Sequence, residues 1–372
     1  MKIRTAIIGG GKVGHTHAAA LSALPTSEFV AVCGRDPARA EAFAARYGVR
    51  AYVDPGRMVR EEDVQAVVVC TPHPAHAGPA IAAMQAGAHA LIEKPLAATL
   101  ADCDAMLSAA TGAGVQLGVI SQRRWYPAVR RVKEAINAGK IGRPVLGTVV
   151  ILGWRDETYY RSDPWRGKWG LEGGGVLVNQ APHQLDLLQW FMGPIEEVFG
   201  YWGNLNHPYI EVEDTAVALL RFRGGGLGSI VVSNSQRPGI YGKVHVHGEN
   251  GASVGVQTDG GAMFIAGMSS VLEPPVNDLW SVPGEEGRLA EWQAEDRTTF
   301  GQIDAASYYH CLQDEDFLDA IIAGRPPAIT GEEGRKTVEL FTAIYRSQRD
   351  HAPVRFPLEA AGGADMDGRL LS

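Results

Sequence analysis

The chain has 372 residues, of which 45% are hydrophobic and 20% charged, a composition typical of a soluble globular protein. This length predicts about two domains, and no apolar run approaches the ~20 residues of a membrane-spanning helix. The formal net charge of −8 argues against a broad nucleic-acid-binding surface. The four cysteines show neither the spacing of a zinc site nor a disulfide framework, and the N-terminus lacks a signal-peptide core. We therefore expect a cytoplasmic protein without a metal site.

Short apolar runs alternate with helical patterns over the first third of the chain. Strands are predicted at residues 3–8, 29–33, 66–70, 89–92 and 115–120, and helices at 15–24, 37–47, 75–85 and 100–110. Strand–helix alternation at this spacing is typical of a doubly wound parallel sheet of the Rossmann type. We assign it to a first domain, residues 1–122.

Longer strand candidates with few intervening helices follow Arg123. They lie at residues 145–152, 198–202, 216–222, 229–233 and 243–247, and helices are predicted at 129–137, 308–322 and 331–348. This pattern predicts a second α/β domain, residues 123–357, with a large and mostly antiparallel sheet. Residues 358–372 are expected to be a frayed tail.

Three glycines, Gly9, Gly11 and Gly14, form a Gly-x-Gly-x-x-Gly motif between the first strand and the first helix. In this setting the motif is a dinucleotide-binding fingerprint. The first glycine permits a tight turn, the second lets the backbone approach the pyrophosphate, and the third lets the helix pack closely on the strand. The pyrophosphate would meet the free N–H groups at the helix N-terminus.

The end of the second strand bears on the choice between NAD and NADP. An acid there favours NAD, but Gly34 stands at the tip, and Arg35 and Arg39 fit the extra phosphate of NADP. Asp36 could still reach the ribose, so NAD is favoured and NADP remains the alternative. The residues expected to line the cofactor are Gly9, Gly11, Lys12, Val13, Gly14, Gly34, Arg35, Arg39, Thr71, Pro72, His73, His76, Glu93, Lys94 and Gln122.

Two further segments carry candidate catalytic groups. Lys94, in Glu93-Lys94-Pro95, follows a strand of the parallel sheet, where its ammonium could stabilise a developing alkoxide; a cis Lys-Pro bond would fix its direction. His183 follows Gly173–Gly175 and Pro182, and a helix starting near Ala181 would place it in the first turn. The helix dipole there favours the neutral imidazole that a general base needs.

These motifs together resemble the Gfo/Idh/MocA family of oxidoreductases, from Lys2 to about Pro357. The resemblance rests on Gly9–Gly14, Glu93-Lys94-Pro95, Gln122-Arg123-Arg124, Gly173–Gly175, His183 with Asp186, and the tail from Asp316 to Pro327. It implies NAD(P)-dependent oxidation or reduction of a sugar or polyol, and an open sheet that often mediates homodimers or homotetramers.

The resemblance also implies that His183 accepts the hydroxyl proton and that Lys94 holds the alkoxide. Asn179 departs from the family, because many of its dehydrogenases have an aspartate there. An amide cannot accept a proton, so Asn179 is expected to bind sugar hydroxyls.

Aromatic and cationic residues are concentrated in two segments, residues 123–126 and the aromatic-rich segment 154–169. In a chain of net charge −8 this local basicity suggests an anionic sugar or glycoside. An alternative is that some of these cations hold cofactor phosphates or a subunit contact. The residues expected to bind substrate are Arg124, Tyr126, Arg155, Trp165, Arg166, Lys168, Asn179 and His183.

Three functions follow from this pattern. The first is a net dehydrogenase acting on a secondary hydroxyl. The second is a redox-neutral NAD-dependent glycosidase, acting for example on a sulfosugar, in which Tyr126 would join Lys94 and His183 in proton transfer. The third is a non-catalytic NAD(P)-binding sensor, against which the presence of both Lys94 and His183 argues.

Overall fold

The computed structural model describes residues 1–259, 273–361 and 367–370, with the backbone alone at 238–241 and 259. The chain divides into two compact units, one of residues 1–122 and 304–338 and the other of residues 123–303 and 339–372. No helix in the described part is both long and apolar enough to cross a bilayer.

The secondary structure follows the sequence pattern closely. The strands are β1 Ile3–Ile8, β2 Ser27–Cys33, β3 Arg50–Tyr52, β4 Ala66–Val69, β5 His89–Ile92, β6 Leu117–Val119, β7 Pro144–Trp154, β8 Ile195–Gly203, β9 Thr215–Phe222, β10 Leu227–Ser233, β11 Ser235–Gly248, β12 Ser253–Asp259, β13 Val276–Trp280 and β14 Val354–Arg355. The helices are α1 Lys12–Ala23, α2 Pro37–Tyr47, α3 Pro55–Glu61, α4 Ala77–Gln85, α5 Leu100–Ala113, α6 Pro127–Asn137, α7 Glu157–Arg161, α8 Trp169–Glu172, α9 Val176–Asn179, α10 Pro182–Met192, α11 Arg288–Phe300, α12 Tyr308–Ala323 and α13 Gly331–Asp350.

The first unit is a Rossmann-type parallel sheet of six strands in the order β3-β2-β1-β4-β5-β6. Strand β4 is buried along its whole length, as expected of a parallel strand covered on both faces. Asp36 and Thr99 start helices α2 and α5 by accepting backbone N–H groups with their side chains. The order reverses between β1 and β4, which creates a crevice at the carboxyl ends of these strands.

The second unit contains an eight-stranded sheet in the order β13-β12-β11-β7-β10-β9-β8-β14. Strands β7 and β10 pair in parallel and the other neighbours are antiparallel, which confirms the predicted, mostly antiparallel sheet. Helices α6 and α10 pack on one face. Along β9 the side chains alternate between buried and exposed, so the other face is uncovered in the single chain.

Two sequence expectations differ from the structure. We placed residues 304–338 in the second domain, but they belong to the first unit, because Phe317 and Leu318 of α12 join the core around Ile7 and Leu21. Nothing in the local sequence shows which sheet an apolar helix face will cover. The expectation of a frayed tail is also wrong for residues 367–370, since the Arg369 side chain is buried with its guanidinium 5.0 Å from the Tyr345 ring centroid.

Candidate active site

The glycine-rich loop joins β1 to α1, and each glycine has a distinct geometric reason. Gly9 has a φ of +106°, and a Cβ there would lie 2.8 Å from the backbone of Cys70. A Cβ on Gly14 would collide with the carbonyl oxygen of Gly9, whereas one on Gly11 would meet nothing within 4 Å. The first and third glycines therefore serve turn and packing, and the second leaves space on the ligand side.

This loop fits a dinucleotide. Gly11 is the N-cap residue of α1 and offers no side-chain hydrogen bond to the first turn, so the N–H groups of that turn can face a pyrophosphate. Lys12 and Val13 follow in the exposed first turn, as expected for residues beside a cofactor.

The end of β2 places an acid and an arginine side by side. Asp36 accepts hydrogen bonds from the N–H groups of Ala38 and Arg39, at 3.0 and 3.2 Å. The exposed Arg39 guanidinium lies 3.6 Å from the same carboxylate. Asp36 is thus committed to starting α2, which the sequence analysis did not anticipate. Arg35 is exposed beside it.

His76 is held by two backbone carbonyl groups, and its expected role in lining the cofactor stays a prediction. His76 is fully buried. One ring nitrogen lies 2.8 Å from the carbonyl oxygen of Thr71 and the other 3.0 Å from that of Pro95. The side chain therefore joins the loop after β4 to the segment after Lys94. His73 is buried in the same loop.

The carboxylate of Glu93 also points inward. One of its oxygens lies 3.0 Å from His17 Nε2, and the other accepts the main-chain N–H of Lys94 at 3.0 Å. These contacts direct the Glu93 side chain to α1, and its expected role in lining the cofactor stays a prediction. The Lys94–Pro95 peptide bond is cis, in agreement with the sequence-based expectation.

In the second unit, a glycine segment precedes the helix that carries His183. The backbone here approaches Glu213: a Cβ on Gly175 would overlap the Glu213 carbonyl oxygen. The Glu213 carboxylate accepts the N–H groups of Gly175 and Leu177, at 2.8 and 3.0 Å, and the Tyr345 hydroxyl at 2.8 Å. The backbone of this glycine segment is thus closely approached by the protein itself.

Helix α10 begins at Pro182, next to the predicted start at Ala181, and places His183 in its first turn. The His183 side chain is buried. One turn later, Asp186 binds Arg124 through two hydrogen bonds of 2.8 and 2.5 Å, and the Arg124 guanidinium lies 4.9 Å from the Trp190 ring centroid. These contacts assign Arg124 to the support of α10, so its expected role in substrate binding stays a prediction.

A polar cluster surrounds Tyr159. Its hydroxyl accepts hydrogen bonds from Arg166 Nη1 at 2.5 Å, from Gln180 Nε2 at 3.1 Å and from Asn179 Nδ2 at 3.2 Å. The guanidinium groups of Arg155 and Arg166 lie 5.1 and 4.3 Å from the Tyr159 ring centroid. The structure therefore brings together the predicted residues Arg155, Arg166 and Asn179.

A buried carboxyl completes this cluster. Glu172 accepts the Gly167 N–H and the Asn179 amide, both at 2.5 Å. Burial raises the pKa of Glu172 to about 7, so an appreciable fraction of the group is neutral near physiological pH. Glu172, Tyr159 and Gln180 were not among the site residues predicted from the sequence. Their only signal was membership in the aromatic-rich segment and the glycine motif, which does not show which side chains turn inward.

The remaining predicted residues lie beside these groups along the chain or in the other unit. Trp165 is half-buried under Arg166, with 4.4 Å between the guanidinium and the ring centroid, and Lys168 is exposed before α8. Tyr126 precedes α6. Lys94 belongs to the first unit and His183 to the second, so their joint action stays a prediction.

Comparison with known proteins identifies the family of both halves of the chain. Residues 3–121 match the NAD-binding Rossmann fold of an oxidoreductase family, and residues 129–254 match the Gfo/Idh/MocA C-terminal domain. Myo-inositol 2-dehydrogenase of Thermotoga maritima is 28% identical over 361 residues, which cover 95% of this chain and 98% of that protein. Inositol 2-dehydrogenase of Rubrobacter xylanophilus is 30% identical, over 95% of this chain and 92% of that protein.

Similar solved structures include complexes with both a cofactor and a sugar. The WlbA dehydrogenase from Bordetella pertussis, in complex with NADH and UDP-GlcNAcA, is 33% identical and has a TM-score of 0.84, with coverage of 96% of this chain and 99% of that chain. Together with the glycine loop, these similarities establish NAD as the cofactor type of the Rossmann domain. The chain belongs to the Gfo/Idh/MocA family of NAD-dependent oxidoreductases, whose members include sugar and polyol dehydrogenases.

Proposed function

We propose that this protein is an NAD-dependent dehydrogenase that oxidises a secondary hydroxyl of an acidic sugar. The observation that carries the proposal is the cluster of Arg155 and Arg166 on Tyr159, in the same unit as Asn179 and His183. Guanidinium groups bind carboxylates and phosphates, and aromatic faces suit the apolar side of a sugar ring.

The charge balance of the cluster favours an anion. Both arginine side chains are largely buried, which strengthens their attraction to a negative group. Because burial raises the pKa of Glu172 to about 7, this carboxyl compensates less positive charge than an ionised one would. Asp163 contacts Arg166 at 3.2 Å and offsets part of it.

The substrate in the similar WlbA structure agrees with this proposal. UDP-GlcNAcA, bound there beside NADH, is by its name a sugar acid linked to a nucleoside diphosphate. The chain covers that protein almost completely. We therefore place nucleotide-linked and free uronic acids at the head of the substrates to be tested.

The residues of this chain would act as follows. When bound, NAD supplies the hydride acceptor. His183 takes the proton of the hydroxyl, the Lys94 ammonium stabilises the developing alkoxide, and Asn179 orients a neighbouring hydroxyl. The role of Tyr126 in proton transfer is specific to the glycosidase alternative, for which the dehydrogenases named above give no support.

The test measures how many molecules of NADH form for each molecule of substrate consumed. The protein is incubated with NAD⁺ and a matched panel of each sugar as the neutral form and as the uronic acid, free and linked to UDP, and NADH formed is compared with substrate consumed. We expect a ratio near one, with the acids preferred, and loss of turnover in His183→Ala. Substrate loss and release of an aglycone without net NADH would contradict the proposal and establish a hydrolase. NADH binding without turnover would instead favour the sensor.

We also propose that the protein is a cytoplasmic homo-oligomer that pairs through the uncovered face of its large sheet. The strand register places Leu219 beside Phe199 of β8 and Ser229 of β10, and Tyr201 beside Val217. Leu219 and Tyr201 are 65% and 63% exposed in the single chain. A contiguous apolar face of this kind marks a protein interface, and self-pairing is the simplest one.

A further inference from the structure

A buried chain of hydrogen bonds leads from α12 to the backbone of Lys94. His17 Nδ1 lies 3.0 and 2.9 Å from the two carboxylate oxygens of Asp314, and His17 Nε2 lies 3.0 Å from one oxygen of Glu93. The second Glu93 oxygen accepts the main-chain N–H of Lys94 at 3.0 Å. All four residues belong to the first unit.

The charges of this chain are mutually dependent. His17 is fully buried and Asp314 and Glu93 nearly so. Burial by itself lowers the pKa of His17, but the two carboxylates outweigh it and raise the value to about 10. His17 is therefore an imidazolium at neutral pH, held between two acids. The neighbouring His310 differs, because burial lowers its pKa to about 4, and it stays neutral.

We infer that His17 and Asp314 are positioning residues for Lys94, acting through the carboxylate of Glu93. Strand β5 ends at Ile92, so Lys94 lies beyond the last strand residue, and its backbone direction depends on side-chain contacts. One carboxylate oxygen of Glu93 contacts His17, and the other accepts the Lys94 N–H. The position of the His17 side chain is therefore linked to the orientation of the Lys94 backbone. The inference rests on the proposed catalytic role of Lys94.

Two arguments favour a role of the His17, Asp314 and Glu93 triad in positioning Lys94 over a role in the stability of the fold. A buried ion triad is often no more stable than apolar residues of similar size, so stability alone does not explain its presence. In addition, His76 contacts the Pro95 carbonyl oxygen at 3.0 Å, so the backbone is held on both sides of the Lys94–Pro95 bond. The arrangement resembles the outer contacts that orient functional side chains at other sites.

The test compares His17→Gln with His89→Gln. His89 starts the same strand β5 at its opposite end, and its Nδ1 accepts the Gln116 N–H at 2.9 Å in a partly buried hydrogen bond, so it is a control for the loss of a histidine hydrogen bond away from Lys94. The rate of hydrogen exchange of the Lys94 backbone amide reports its hydrogen bond to Glu93 directly. Overlapping peptides resolve this amide in mass spectrometry, because the next residue, Pro95, has no amide hydrogen. We expect exchange about tenfold faster in His17→Gln, kcat about tenfold lower, and Kd for NADH changed less than about threefold. His89→Gln should change none of these.

A double-mutant cycle that combines His17→Gln with Lys94→Ala distinguishes a positioning role of His17 from a general loss of native structure. If His17 acts through the Lys94 side chain, His17→Gln lowers kcat in the wild type but not further in Lys94→Ala. Unchanged Lys94 exchange in a folded His17→Gln, or an equal loss of kcat in both backgrounds, would overturn the inference. If His17→Gln does not fold, Asp314→Asn, which keeps the acceptor and removes the charge, is measured in the same way. A wild type without turnover contradicts the proposed function, whereas the exchange comparison still decides this inference.

Discussion

The side-chain amide of Asn179 lies 2.5 Å from a carboxyl oxygen of Glu172. Asn179 stands where many Gfo/Idh/MocA dehydrogenases have an aspartate, and the structure shows that a buried carboxyl from a different position holds it. Glu172 also accepts the Gly167 N–H. The acid is thus supplied from seven residues earlier in the chain, at Glu172, and burial raises its pKa to about 7.

Replacing Glu172 with glutamine should change how stability depends on pH. With a folded-state pKa of about 7 against an ordinary value of 4.5, the folded protein holds the proton more tightly than the unfolded chain. Stability contributed by this group is therefore complete below about pH 4.5 and is lost as the pH rises towards 7. The wild type should lose roughly 3 kcal/mol relative to Glu172→Gln over this window, measured as the free energy of unfolding in urea.

Glu211→Gln is the control for this comparison, because Glu211 is exposed and also accepts a backbone N–H, that of Trp169 at 3.2 Å. Its stability curve should run parallel to that of the wild type. Parallel curves for Glu172→Gln as well would show that the Glu172 carboxyl ionises with its ordinary pKa.

The proposed preference for acidic sugars predicts a charge-specific effect at Lys168. Lys168→Ala should raise KM for the uronic acid about fivefold and change KM for the matched neutral sugar little, because one lost charge contact is worth about 1 kcal/mol. Arg161→Ala is the matched control: Arg161 is an exposed cation of the same segment, paired with Glu157 at 2.6 Å. KM for both sugars is measured by steady-state kinetics. An equal change of KM for the acidic and the neutral sugar would contradict the charge argument.

Alanine substitutions in the glycine loop should have two different effects, one on NADH binding and one on the stability of the fold. Gly11→Ala should fold normally, because a Cβ meets nothing within 4 Å, but should weaken NADH binding at least tenfold by filling the space for the pyrophosphate. Gly14→Ala should instead lower the free energy of unfolding by about 2 kcal/mol or more, because its Cβ overlaps the Gly9 carbonyl. Fluorescence titration and thermal melts separate the two, with Gly112→Ala in α5 as the neutral control. Unaltered NADH affinity in Gly11→Ala would refute the assigned position of the cofactor.

The uncovered sheet face predicts an effect on assembly. Leu219→Glu should convert the proposed oligomer to a monomer, because it puts a charge in the middle of the apolar face. Leu205→Glu, in the loop after β8, replaces a leucine that is even more exposed, at 75%, and should leave the mass unchanged. Light scattering after size-exclusion chromatography measures both. A wild type that is already monomeric would rule out the interface.

Local sequence rules determined much of the fold. The bounds of β1, α2 and β5 agree with the predicted runs, since periodicity and capping residues act over a few positions. The start of α10 followed from Pro182 in the same way. The short elements β3 and α3 were not predicted because their apolar pattern is too brief, and the 13-residue α11 was not predicted because its apolar pattern is too weak.

What the sequence by itself determined is where three motifs predicted to approach a ligand lie on the elements: the glycine loop before α1, Lys94 after β5, and His183 in the first turn of α10. Only the tertiary structure decided which neighbours support them. Asp314 is 297 residues from His17, Glu213 meets Gly175 from 38 residues away, and Arg124 is paired with Asp186. Such partners share no local pattern, because a buried charge or backbone group is satisfied by whichever element the packing of the core brings to it.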